Sequence, residues 1–119
     1  MPLYASVYVP FVCPGRQFTC FDGTETPGAA VKSAAFMRGR GPLDLDGPTT
    51  FTIDFASAPT AVVLIQASNT NTDANFQTIW TSTSTQHDNY TDANTTWRFY
   101  RVVLSTYSAG GMPVVIARR

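Results

Sequence analysis

The sequence predicts an all-β fold: a single-domain β-sandwich of the jelly-roll type with seven or eight strands. Apolar and polar residues alternate in at least five segments, which is the period of a strand. Turn-forming residues separate these segments at regular intervals. Strong helix formers are scarce, with one lysine and one glutamate in the chain. The 119 residues suffice for one domain, residues 1–119, with a buried core.

The central strand is predicted at residues 61–66. Val62, Val63 and Ile65 are β-branched and favour an extended backbone. Pro59 precedes the segment, and solvated turn formers follow it from residue 68 onward. Because both faces of the segment are apolar, we expect protein to cover both of them.

The other strands are predicted from the same alternation, at residues 3–11, 17–21, 51–55, 76–81, 96–107 and 112–117. Residues 29–37 suit either a helix or a strand, and a strand with irregular ends is favoured. Long loops are expected within residues 22–48, which are rich in glycine and proline, and within residues 82–94, which are polar throughout.

Charge and composition narrow the possible partners. Eight acidic and eight basic residues give no net charge, and no basic stripe exists to neutralise phosphates, so nucleic-acid binding is disfavoured. Only 13% of residues are charged, so neutral polar side chains must cover much of the surface. That composition suits a protein packed against neighbours. Residues 1–4 lack a signal-peptide pattern, and no run approaches a membrane span, which indicates synthesis in a cytoplasm and no membrane partner.

No motif predicts an enzyme, a cofactor or a metal site. His87 is the only histidine and is expected to be an exposed loop residue. Residues 69–73 and 44–46 resemble calcium loops but lack the required glycine or glutamate, so turn-capping roles are expected. Cys13 and Cys20 are expected to be two buried free thiols. The chain is therefore predicted to be non-enzymatic.

Several aromatic residues allow a binding role beside a structural one. Trp80 and Trp97 are in register with Phe76 and Phe99, which favours core packing. Tyr90 lies in the predicted loop and is the best candidate for exposure. The alternative hypothesis makes Trp80 and Tyr90 ligand-contacting aromatics that stack on sugar rings.

Two arginines of the longest strand candidate are expected to act separately. Arg98 and Arg101 fall on opposite faces of that strand and so do not form one anion site. One of them is expected to pair with Asp54 or with Asp73.

The N-terminal strand is a candidate interface. Tyr4 and Tyr8 lie on its second face, and amphipathic aromatics are enriched at interfaces. Pro10 cannot donate a hydrogen bond to a neighbouring strand, which predicts a position at a sheet edge. An uncharged edge strand invites pairing with another chain, so Tyr4, Tyr8 and Pro10 are predicted to contribute to a homo-oligomer. The alternative is a strand that packs only within its own monomer.

Residues 62–69, 75–79 and 98–102 together resemble a pattern found in small phage virion proteins. In that pattern a strand ending in Gln-x-Ser precedes a polar loop, an aromatic-led strand and a Tyr-Arg-Val strand. The likeness covers residues 49–119, and Ala67 stands where glycine is usual.

The phage proteins in question are similar to jelly-roll or galactose-binding-like sandwiches, and they include head decoration (cement) proteins and parts of tails. The resemblance implies a capsid decoration protein on the virion surface, made in the host cytoplasm, with the major capsid protein as partner and a homotrimer as the favoured assembly. A carbohydrate-binding module or a receptor-binding part of a phage tail is the alternative.

Overall fold

The computed structural model describes residues 10, 12, 16–28, 30–38, 47–83, 85–93 and 96–119. Within these residues the chain forms nine strands and no α-helix, which confirms the all-β prediction. A short 3-10 helix, Asp73–Asn75, lies between β5 and β6. The strands are β1 Gln17–Asp22, β2 Val31–Lys32, β3 Phe36–Met37, β4 Thr49–Asp54, β5 Thr60–Ser68, β6 Gln77–Thr81, β7 His87–Asp92, β8 Phe99–Ala109 and β9 Val114–Arg118.

Two antiparallel sheets make up the sandwich. One has the order β1-β9-β4-β7; the other has the order β2-β8-β5-β6, with β3 also paired to β8. Val31 of β2 lies opposite Leu104, and Phe36 of β3 lies opposite Tyr100, so β2 and β3 are two parts of one interrupted strand along β8. Counted as one, they leave eight strands. Successive strands lie in different sheets except for β5 and β6, which pair with each other, and this is the order of a jelly roll. The predicted jelly-roll sandwich is confirmed.

The core lies between the inward faces of the two sheets. In β5 the side chains of Ala61, Val63 and Ile65 are buried, while Val62 and Leu64 on the other face are half-buried. The expectation that protein covers both faces of the central strand is therefore wrong for its outer face. In an antiparallel sandwich each sheet turns only one face to the core, and apolar residues on the other face remain partly in solvent.

The predicted loop at residues 82–94 is also corrected, because it contains β7. This strand pairs with β4 over six residues, from Thr49 opposite Asp92 to Asp54 opposite His87. Its inward positions are held by Asp88, Tyr90 and Asp92, so two of the three are carboxylates. The alternation of apolar and polar residues that marks a strand is therefore missing from its sequence.

The described part of the segment before β1 is short. The carbonyl of Pro10 accepts a hydrogen bond of 2.7 Å from the backbone N–H of Met37, and the N–H of Val12 donates to the Met37 carbonyl at 2.9 Å. Residues 10 and 12 therefore lie along β3. Tyr4, Tyr8 and Cys13 lie outside the described residues, as do residues 39–46 of the predicted loop. Cys20 is a buried free thiol, as expected.

Candidate functional site

The two aromatic residues predicted to contact a ligand, Trp80 and Tyr90, contact each other. The rings of Trp80 and Tyr90 stack with centroids 5.1 Å apart and an interplanar angle of 17°. Trp80 belongs to β6 and Tyr90 to β7, the edge strands of the two sheets, so the stack closes one side of the sandwich. Tyr90 also stacks on buried Phe51, and burial raises the pKa of its hydroxyl. Core packing of Trp80 is confirmed, whereas the exposed loop position of Tyr90 is wrong.

A polar network centred on Asp73 crosses the outer face of the five-stranded sheet. Its carboxylate Oδ1 accepts hydrogen bonds from Lys32 Nζ at 2.9 Å and from Arg101 Nη1 at 2.5 Å. The Arg101 guanidinium lies 4.2 Å from the centroid of the Phe76 ring, and its Nε donates to Gln66 Oε1 at 2.7 Å. The hydrogen bonds from Arg101 and Lys32 lower the pKa of Asp73. Of the two pairings expected for the arginines, the one with Asp73 is present.

Asp54 pairs with His87 rather than with an arginine. The Nδ1 atom of His87 lies 2.7 Å from Asp54 Oδ1, and both side chains are largely exposed. His87 is therefore exposed as expected, although it begins a strand rather than lying in a loop. In the part of the chain that the structure describes, no three His, Cys, Asp or Glu side chains come together to hold a metal ion.

A buried polar cluster that the sequence did not predict lies at one end of the sandwich. The Arg38 side chain is fully buried and donates a hydrogen bond to the carbonyl of Gly47. Near it, the hydroxyl of Tyr100 donates to Asp92 Oδ2 at 2.7 Å. Burial, and then this hydrogen bond, raises the pKa of Tyr100. Arg38 stands in a stretch rich in glycine and arginine, which as sequence indicates an exposed loop.

The outer face of the four-stranded sheet has uncharged side chains at its centre. Cross-strand pairing places Asn89 and Ile116 on either side of Thr52, and Thr19 on the far side of Ile116. Beside this row, the hydroxyls of Thr50 and Thr91 lie 3.0 Å apart. Ile116 is half-buried and lies within this surface. We call this surface the threonine face; it consists of Thr19, Thr50, Thr52, Asn89, Thr91 and Ile116.

Trp97, also predicted to lie in the core, has two environments. It is half-buried and packs against the core on one side. With its remaining surface it lines an open cleft of about 350 Å³ beside the connection between β5 and β6. The sequence did not predict this cleft, because its residues come from separate parts of the chain.

Fold and surfaces together define the chain as a jelly-roll β-sandwich. The chain matches no protein-family model, no curated protein and no solved structure. The resemblance to phage virion proteins therefore stays a prediction. Within the described residues, no helix has the length and apolar character needed to cross a membrane.

Proposed function

We propose that the protein is a non-enzymatic structural protein of a phage particle, attached to the capsid surface as a decoration protein. The threonine face is the observation that carries this proposal. The middle row of this face, from Asn89 through Thr52 and Ile116 to Thr19, holds no charged side chain. The resemblance of residues 49–119 to virion proteins supports the same function.

The side chains of the threonine face suit a lasting protein–protein contact. Interface centres are depleted in charged residues, because each buried charge loses its hydration. Short threonine side chains also lose less rotamer freedom on burial than lysine or glutamate. The charged residues Asp22, Asp54 and Arg118 lie in the rows on either side of the middle one, where a polar rim is expected.

The threonine face alone is small for a stable complex. Four strands about 4.8 Å apart present less area than the roughly 800 Å² per partner of a standard interface. We therefore propose that attachment is multivalent, through a homotrimer in which each copy contacts the major capsid protein. Tyr4, Tyr8 and Pro10 remain the residues predicted to form the contact between copies. The hydrogen bond from the Met37 N–H to the Pro10 carbonyl also suits the alternative, in which this segment packs only within its own monomer.

The test is co-sedimentation with purified capsids. The wild-type chain is expected to sediment with them at a fixed copy number. Charge introduced on the threonine face, as Thr19→Glu with Asn89→Glu, is expected to abolish sedimentation. Thr106→Glu with Ser108→Glu adds the same charge at two exposed positions of β8 and should bind as wild type. A chain absent from particles, or a double variant that binds normally, contradicts the proposal.

The carbohydrate-binding alternative loses its first candidate residues. Trp80 and Tyr90 cover each other's ring faces in the stack, so they do not offer a paired platform to a sugar. A receptor-binding role through these two residues is therefore not favoured.

A further inference from the structure

The cleft beside Trp97 is lined by neutral polar groups. Three of its side chains are the amides of Asn69, Asn75 and Gln77, and the others are two hydroxyls, one methyl group and the indole of Trp97. Among the described residues, no charged side chain lines it. Its volume of about 350 Å³ falls within the range of roughly 300–1,000 Å³ that is typical of small-molecule sites.

Two of the amides are held in place by bonds within the chain. The Oδ1 atom of Asn69 accepts a hydrogen bond of 3.2 Å from the backbone N–H of Arg98. The Nδ2 atom of Asn75 donates to Thr70 Oγ1 at 2.8 Å. The Nδ2 group of Asn69 and the Oδ1 atom of Asn75 have no described hydrogen-bond partner. Asn69 can therefore donate to a ligand, and Asn75 can accept from one. A ligand would bind them without the cost of ordering flexible side chains.

Trp97 supplies an apolar surface next to these amides. Its inner side packs against the core, so the indole is held in one position. Among the described residues no other ring stacks on Trp97, and its indole N–H has no hydrogen-bond partner. Gln77 lines the same cleft and is exposed, and its side chain likewise has no hydrogen bond to another described residue. The cleft thus combines a fixed aromatic ring with donors and acceptors.

We propose that this cleft binds a neutral pyranose sugar. The C–H face of such a ring packs against an indole, while its hydroxyls donate to and accept from amide groups. The lining residues that the structure describes include no arginine or lysine for a phosphate or carboxylate, which favours uncharged sugars over nucleotides and acidic sugars. This inference does not rest on the proposed function, because the threonine face belongs to the other sheet.

The two tryptophans of the chain allow a direct test. The two indole N–H signals in a ¹⁵N–¹H NMR spectrum are assigned with Trp97→Phe and Trp80→Phe. Methyl β-galactopyranoside, methyl α-glucopyranoside and methyl α-mannopyranoside are then titrated into the full chain. At least one is expected to move the Trp97 signal saturably, while the Trp80 signal stays in place. Glucuronate, which has the ring but also a charge, is expected to have a much smaller effect.

Gln77→Ala separates binding from folding. Because the side chain of Gln77 makes no hydrogen bond to a described residue, its replacement should leave stability unchanged. It should weaken sugar binding about fivefold, which corresponds to the loss of one hydrogen bond. Trp80→Phe is the matched control and should bind as wild type. A Trp97 signal that none of the three glycosides moves, or that glucuronate moves equally, overturns the proposal. Gln77→Ala should sediment with capsids as the wild type does. A failure of sugar binding therefore leaves the decoration role untouched, and a failure of capsid binding leaves the sugar site untouched.

Discussion

The hydroxyl of Tyr100 donates a hydrogen bond of 2.7 Å to the carboxylate of Asp92 inside the sandwich. Tyr100 belongs to β8 in one sheet, and Asp92 ends β7 in the other. The Tyr100 ring also contacts Phe36 and Phe51, with centroids 5.7 Å and 5.5 Å away. A buried carboxylate needs its donors, so this bond constrains how one sheet lies on the other.

Removing that hydroxyl should cost stability. We expect Tyr100→Phe to lower the free energy of unfolding by about 1–3 kcal/mol, because Asp92 loses a donor where water does not replace it. Urea unfolding measures the change. Tyr107→Phe in the same strand removes a hydroxyl that has no described partner, and a change within about 0.5 kcal/mol is expected there. Equal losses in both variants would contradict the importance of the Tyr100–Asp92 bond.

The turn before β9 depends on a glycine. Gly110 has a φ of +108°, and a Cβ atom built there would lie 2.7 Å from the Cα of Pro59. Gly110→Ala should therefore destabilise the protein by about 1–3 kcal/mol through backbone strain, with a further loss from the contact. Gly111 has a φ of +67° with nothing within 4 Å of such a Cβ, so Gly111→Ala should cost only about 1 kcal/mol. Thermal or urea unfolding measures the loss of stability in each variant. A larger loss in Gly111→Ala than in Gly110→Ala would contradict the close approach of residue 110 to Pro59.

Asp73 should make stability depend on acid pH. Its pKa is lowered in the folded protein by Arg101 and Lys32, so its contribution is present above the unfolded value of about 3.9 and is lost as the pH falls through the folded pKa. Asp73→Asn should lower the Tm at neutral pH and match the wild type at low pH.

Asp22 provides the control for this ion-pair effect. Its pKa is also lowered, but by hydrogen bonds from Thr24 rather than by a cation. Salt at about 1 M should reduce the Tm difference caused by Asp73→Asn more than that caused by Asp22→Asn. A salt response that is the same for both variants would argue against the ion pairs of Asp73.

Cys20 should be unreactive while the protein is folded. Burial raises the pKa of its thiol, so little thiolate forms, and the residue is only 8% exposed. In a Cys13→Ser background, modification by Ellman's reagent should require unfolding. Because the folded pKa is raised, the contribution of this thiol to stability is present below about pH 8.5 and is lost as the pH rises above it. Rapid modification of the folded variant at pH 8 would contradict this.

The sequence was informative where one face of a strand is apolar. β4 shows this most clearly, since Phe51 and Ile53 are buried and alternate with Thr50 and Thr52. The period of two is a local property of the chain, so it can be detected without knowing which strands are neighbours. For the same reason the strand β8 was predicted near its observed position.

Features that depend on non-local contacts were not predictable in this way. β7 was mistaken for a loop because Asp88 and Asp92 occupy inward positions, and the hydrogen bond that Asp92 accepts there comes from Tyr100 in the other sheet. The burial of Arg38 was not predictable either, because it depends on the folded arrangement of the chain and not on the neighbouring residues in the sequence. The cleft combines Trp97 with residues of the β5–β6 connection, and only the pairing of β5 with β8 brings them together.

The position of β9 between β1 and β4 has a consequence for biosynthesis. Val114–Arg118 is made last among the strands, yet it is the neighbour that joins β1 to the rest of its sheet. Until β9 has left the ribosome, β1 has no described strand to pair with, and β4 lacks one of its two partners. Closing such distant pairs is slow, so the nascent chain exposes strand edges until β9 has emerged and paired, and it would benefit from a chaperone that shields them.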